Sequence, residues 1–390
     1  MKSVVYYTNW SIYARQFFVW DLPSTYLTHV LYAFANVNPS TGEVYLSDTY
    51  ADTDIHFRGD SWNDVGTNLY GNFKQLFLLK LKQRTLRVML SIGGWSYSGN
   101  FPSVVASASL RANFVSTAVA LVRDLGLDGL DLDWEYPTAG EQAANFVLLL
   151  GELRAGLDAY AQSLKTPGGT TPTFLLSVAA PCAQYYISML DIAGMDKYLD
   201  LWNLMGYDFA GSWSTVAGNQ ANVYGGEVSV DNAVRLYVAA GVHKKKINVG
   251  MPLYGRAFVG TDGPGSSFTG VGEGSWEPGV WDYKVLPRPG ASEYLDAVNI
   301  ASWSYDPSSR TMVSYDTPAC ATLKAKYITS KGLGGAMWWE ASGDCPEGNP
   351  RCLETTVVDE FGGRQRLDIL PGNWIEYPDS KYDNVKNKMA

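Results

Sequence analysis

Eight short apolar runs recur along this chain, and their repetition constrains the fold more than any other feature. They read "SVVYYTN", "HVLYAFANV", "LRVMLSIGG", "LDGLDLDW", "TFLLSVAA", "LWNLMGY", "INVGMPLYG" and "LGGAMWWE". Nearly continuous apolar strands belong to parallel sheets whose two faces are covered by helices. Amphipathic stretches at 70–84, 108–125, 141–164, 229–241 and 317–331 supply those helices. Eight strands interleaved with helices predict an α/β fold of the TIM-type (β/α)8 barrel class. The alternative is a doubly wound open sheet, which usually has fewer strands and a Gly-rich phosphate loop; none is evident here. After "MPLYGRAF" the rhythm breaks, and residues 259–316 are rich in Gly, Pro, Ser, Trp and Tyr. A compact domain rarely carries so long a structureless loop. The expectation is a small α+β domain at 259–316, inserted between the seventh strand and its helix. Residues 1–258 and 317–390 then form the barrel with its C-terminal tail.

The fourth run is unusual for its acids. "DGLDLDWEYP" places Asp128, Asp131, Asp133 and Glu135 among Leu130, Leu132 and Trp134, although strand interiors are normally poor in Asp and Glu. Side chains alternate along a strand, so Asp131, Asp133 and Glu135 share one face and the apolar set shares the other. The apolar face must meet the helices. The acids then line the lumen and rise toward the carboxyl end, where barrel enzymes place their chemistry. Asp128 has the opposite parity, which predicts a structural role. Stacked carboxylates in a buried lumen cannot all ionise: like charge and desolvation both raise pKa. The arrangement suits a general acid at the top, with Asp133 and Asp131 sharing a proton beneath it. A Ca²⁺ or Mg²⁺ site would also cluster carboxylates, but the ladder is linear and further ligand clusters are missing.

Composition narrows the partners. A net charge of −9 argues against nucleic acid and anionic membranes. Thirteen Trp and twenty-five Tyr exceed what a core needs, and sugar rings stack on such faces, so a polysaccharide enters early. No apolar run is long enough to cross a bilayer. "MKSVVYYTNW" passes straight into a strand with no signal-peptide pattern, as in a mature chain whose leader has been removed. The three His (29, 56, 243) have no ligand spacing, so neither a metal nor another cofactor is expected. Cys182, Cys320, Cys345 and Cys352 are too few for a disulfide scaffold; "CPEGNPRC" either closes a small loop through Cys345 and Cys352 or leaves free buried thiols.

D-x-x-D-x-D-x-E on the fourth strand resembles the signature of glycoside hydrolase family 18 chitinases. "LSIGGW", "NLMGYD", "MPLYGR" and "GGAMWWE" are similar to that family's motifs on strands three, six, seven and eight. The resemblance spans essentially the whole chain and is greatest to secreted fungal chitinases. It implies a secreted monomer that hydrolyses β-1,4 links of chitin and chito-oligosaccharides with retention. The substrate's own N-acetyl oxygen would be the nucleophile, through an oxazolinium ion, an exception to the two-carboxylate scheme.

The resemblance also implies roles. Glu135 would be the acid that protonates the leaving oxygen and then the base that activates water. Asp133 would hydrogen-bond the acetamido N–H, and Asp131 would hold the shared proton, supported by Tyr6 and Ser91. Tyr207 would donate to the acetamido carbonyl and Asp208 would meet sugar hydroxyls. Trp339 would floor subsite −1, with Trp338 packing behind. Trp10 and Trp95 match minus-side positions, Trp213 a plus-side one, and Tyr254 and Arg256 substrate contacts below the insertion; an Arg there also pairs with an acid. Two alternatives share the fold: a chitin-binding chitinase-like lectin, which usually lacks the Glu135 acid, and an endo-β-N-acetylglucosaminidase acting on N-glycans.

Overall fold

In a computed structural model, residues 1–166, 169–368 and 372–389 are described. The strands are β1 (Lys2–Thr8), β2 (His29–Val37), β3 (Val44–Leu46), β4 (Arg87–Gly93), β5 (Gly129–Asp133), β6 (Leu175–Ala180) and β7 (Leu201–Leu204). Then come β8 (Ile247–Pro252), β9 (Tyr254–Val259), β10 (Val280–Asp282), β11 (Ser292–Asp296), β12 (Ala301–Asp306), β13 (Thr311–Ser314) and β14 (Gly335–Trp339). One sheet runs β1-β14-β8-β7-β6-β5-β4-β2-β3, with β1 also pairing β2, and this defines the (β/α)8 barrel class predicted. A second sheet, β10-β9-β13-β12-β11, is antiparallel and lies in the predicted insertion interval, except that β9 begins before it.

The chain divides into two compact units. The first comprises Tyr7–Ala179, Ser188–Trp202 and Asp368–Ala390. It holds the parallel pairs β2–β4, β4–β5 and β5–β6. Its helices follow local signals: in Ala108–Leu125 the Ser107 side chain accepts from Leu110 N, and Gly126 ends the helix at φ 70°. Leu130 and Leu132 are buried, and Trp134 stacks on Phe101 with centroids 5.4 Å apart. It also meets Phe146 of helix Glu141–Ser163 edge-on. The apolar side of β5 therefore packs on helices, as parity requires. Asp128 faces this helix side too, away from the other acids: it pairs with buried Lys80 of helix Gly71–Lys82 at 2.8 Å and accepts from Val88 N and Trp374 N. That is the structural role predicted for it, and Trp374 shows the tail bound to this unit.

The second unit comprises Met1–Tyr6, Ala180–Ile187 and Asn203–Leu367. It holds the pairs β1–β14 and β14–β8 together with the antiparallel sheet. The run "INVGMPLYG" reads as a single strand but splits here. Its first part ends at Pro252, and Tyr254 opens β9 of the other sheet. Leu253 N, at the break, still donates to Trp339 O. Thr317 caps helix Pro318–Lys331 by accepting from Cys320 N, with Pro at the tolerant first turn. All four cysteines are free and buried.

Candidate active site

The predicted residues fall in both units. In the first unit, Asp131 sits in register between Ser91 of β4 and Ser177 of β6. Both serines are fully buried. Ser91 Oγ donates to Oδ2 at 2.7 Å and Ser177 Oγ to Oδ1 at 2.5 Å. One layer up, Asp133 is buried, and its Oδ1 accepts no hydrogen bond from the described residues. Burial first, then the charges of Glu135 and Asp131, push its carboxyl well above the usual carboxylate range.

Regular strand ends at Asp133, so Glu135 stands on the first residues of the loop beyond it. Its N–H donates to Ser98 Oγ at 2.7 Å, and Tyr136 OH donates to its Oε2 at 3.1 Å. The glycines of "LSIGGW" make room beside this ladder. At Gly93 (φ 115°) a Cβ would stand 2.2 Å from Asp133 O, and at Gly94 (φ 77°) 2.6 Å from the Phe34 ring. Gly94 N in turn donates to Asp133 O at 2.7 Å. Trp10 packs near Phe34 at 6.3 Å between centroids, while Trp95 is 74% exposed.

In the second unit, Trp339 meets the edge of Tyr6 at 5.3 Å, whereas Trp338 is fully buried, as the alternation predicts. Tyr207 OH lies 3.8 Å from Met337 Sδ. Gly250 keeps this corner open, because a Cβ there would stand 3.0 Å or less from Leu204 O, Met337 and Tyr207. Asp208 accepts from Tyr254 OH at 2.5 Å and Arg256 Nε at 2.6 Å. Burial and the Asp208 charge hold the Tyr254 phenol far above its ordinary value. The Arg256 guanidinium lies 4.7 Å over Trp213, whose ring is 58% exposed. Arg256 thus makes the acid pairing read as its structural role.

The sequence reading missed Ser177 and Ser98. Ser177 carried a signal, a lone hydroxyl in an apolar run; Ser98 lies on a loop with none. One cluster has cation-ligand geometry among the described residues: Asp344, Cys352 and Glu354, with ligand atoms within 4.8 Å. Asp344 is already occupied: it accepts from the N–H of its neighbour Cys345 and from the Leu353 and Glu354 N–H groups at the start of helix Leu353–Glu360. That is helix capping. No described helix is long and apolar enough to cross a membrane.

A (β/α)8 chain with buried carboxylates climbing one strand, and separate Trp faces left open, has the construction of a polysaccharide hydrolase. The family model described as Glycosyl hydrolases family 18 matches residues 2–344, and the chain belongs to that family of glycoside hydrolases. Chitinase 1 of Aphanocladium album is 46% identical, over 99% of this chain and 90% of the relative. Endochitinase 1 of Metarhizium robertsii is also 46% identical, over 100% and 91%. Among solved structures, the catalytic domain of psychrophilic chitinase B from Arthrobacter TAD20 superposes with a TM-score of 0.84 at 29% identity. That match covers 95% of this chain and 98% of that one.

Proposed function

We propose that this glycoside hydrolase acts as a chitinase by substrate-assisted, retaining cleavage of β-1,4 links between N-acetylglucosamine units. The observation that carries the proposal is Asp133: buried, raised in pKa, and with one oxygen unclaimed. A carboxyl so placed has an oxygen ready to accept a hydrogen bond from a ligand N–H. In this reading Glu135 protonates the leaving oxygen while the acetamido oxygen attacks the anomeric carbon. Asp133 orients the acetamido N–H and, as the shared proton passes down to Asp131, offsets the positive charge. Glu135, now a base, takes the proton of the hydrolytic water. Asp131 anchors the ladder with Ser91 and Tyr6, Tyr207 donates to the acetamido carbonyl, and Trp339 floors the −1 sugar. Asp208, Tyr254 and Arg256 hold sugar hydroxyls. Trp10 and Trp95 line the minus side and Trp213 the plus side.

Solved chitinases support the ligand class. One from Cycas revoluta, 25% identical, is in complex with (GlcNAc)4, and one from Ostrinia furnacalis, 26% identical, is in complex with allosamidin. We also propose a secreted monomer with the domain division 1–258 and 317–390 against 259–316. Retention of the Glu135 acid disfavours the lectin reading. Glu135→Gln tests the assignment: it keeps shape but donates no proton, so kcat on chito-oligosaccharides falls at least about 10²–10⁴-fold while oligosaccharide binding persists. Activity retained by this variant removes Glu135 from the chemistry.

A further inference from the structure

We infer that Ser177 is a positioning residue for the catalytic ladder: with Ser91 it holds Asp131 as the ionised member and leaves the ladder's proton on Asp133. The inference rests on the substrate-assisted reading above and adds a residue to it.

The geometry is a three-strand layer, Ser91–Asp131–Ser177, in register across β4, β5 and β6. Each carboxylate oxygen of Asp131 receives its own hydroxyl, at 2.7 and 2.5 Å. All three residues are fully buried, so water does not compete for these bonds. Hydroxyl donors on both oxygens stabilise the charged form and oppose protonation. Asp133 has the opposite surroundings, buried with Oδ1 unclaimed. A proton shared by the two carboxyls therefore resides on the upper one.

Asp133 and Glu135 lie on the strand of Asp131 and the loop beyond. On the flanking strands, β6 carries no charged residue and β4 only Arg87, at the opposite end from Ser91. Tyr6, which the family pattern assigns to the same carboxylate, adds no charge at acid pH. Removing the Ser177 hydroxyl takes a donor from ionised Asp131 and raises its proton affinity. The form with Asp131 ionised and Asp133 protonated is then lost at a higher pH than in the wild type. A second proton also enters the pair at higher pH, which moves the acid limb of the rate profile toward neutrality.

The test is kcat and KM against pH on a soluble chito-oligosaccharide for wild type, Ser177→Ala and Ser177→Thr. Ser177→Ala is expected to move the acid limb up by about one pH unit, as loss of one charge-assisted bond requires. It should lower kcat more than it changes KM, and Ser177→Thr, which keeps a hydroxyl, should return the limb toward its original place. A lowered Tm with an unmoved limb would make Ser177 merely structural and overturn the inference, as would Thr shifting the limb as far as Ala. Should Ser177→Ala not fold, Ser177→Cys, nearly isosteric with a weak donor, must shift the limb in the same direction, and an unshifted limb overturns the inference. The ends released from partly acetylated chitosan keep the parent reading separate. An unmoved limb with N-acetylglucosamine ends intact defeats this inference alone, whereas glucosamine ends in the wild type defeat the reading beneath it.

Discussion

Asp133 and Asp208 are both carboxylates at the ends of barrel strands, and they live in opposite surroundings. Asp208 has a guanidinium at 2.6 Å and a phenol at 2.5 Å, so its charge is compensated. Asp133 has other acids for neighbours, no donor on Oδ1, and burial on every side. The first arrangement fixes a side chain in place, and the second keeps a proton in reserve. In the function proposed here the ladder would move protons and charge, while the Asp208–Arg256–Trp213 group would present an aromatic and polar surface to sugar. Rate should therefore be lost mainly through the ladder and grip mainly through the aromatic group.

The largest expected effect that sharpens this contrast is Asp133→Asn. An amide is a poorer acceptor for the acetamido N–H and offsets no positive charge, so kcat should drop about 10²–10³-fold with KM little changed. Equal loss in KM would place Asp133 with the grip. The same variant reports on stability. Asp133 holds its proton in the folded chain well above the usual range, whereas the unfolded carboxyl ionises near 3.9. The folded state thus binds more protons, and wild-type stability falls as pH rises from about 4 toward the folded pKa. Asn escapes that loss, so the variant's advantage in unfolding free energy should widen from pH 4 to pH 7, by at most about 1.4 kcal/mol per pH unit. A constant gap would mean that Asp133 ionises normally.

Smaller effects belong to the aromatic side. Trp339→Ala should weaken oligosaccharide binding by about 1.5–3 kcal/mol and lower kcat with it, since the −1 ring loses its floor. Trp213→Ala should be milder on short oligomers and more harmful on insoluble chitin, measured as soluble product per unit time. Equal losses on both substrates would break its subsite assignment.

Much of this was legible before the structure. Alternation in "LDLDW" sorted the acids from Leu130, Leu132 and Trp134, and it set Trp339 apart from buried Trp338, because a strand's period survives any tertiary context. Long-range partners were not legible. Parity puts Ser177 on one face of β6, but only inter-strand register decides that it meets Asp131. Lys80 meets Asp128 from a helix far away in sequence. The antiparallel sheet was foreseen as an interval and not as strands, since pieces such as Val280–Asp282 are too short to show a period. The glycines of "LSIGGW" could be matched as a motif, while their cause, the approach of Asp133 O, needed coordinates.

The central claim is that the substrate's own acetamido group is the nucleophile and the ladder serves it. Intramolecular attack gains the effective molarity of a pre-positioned group, so no carboxylate need lie beneath the anomeric carbon. Sequencing the new reducing ends released from partly acetylated chitosan measures this directly. Nearly all should be N-acetylglucosamine. Abundant glucosamine at those ends would mean an enzyme nucleophile or an inverting water, and would contradict the account.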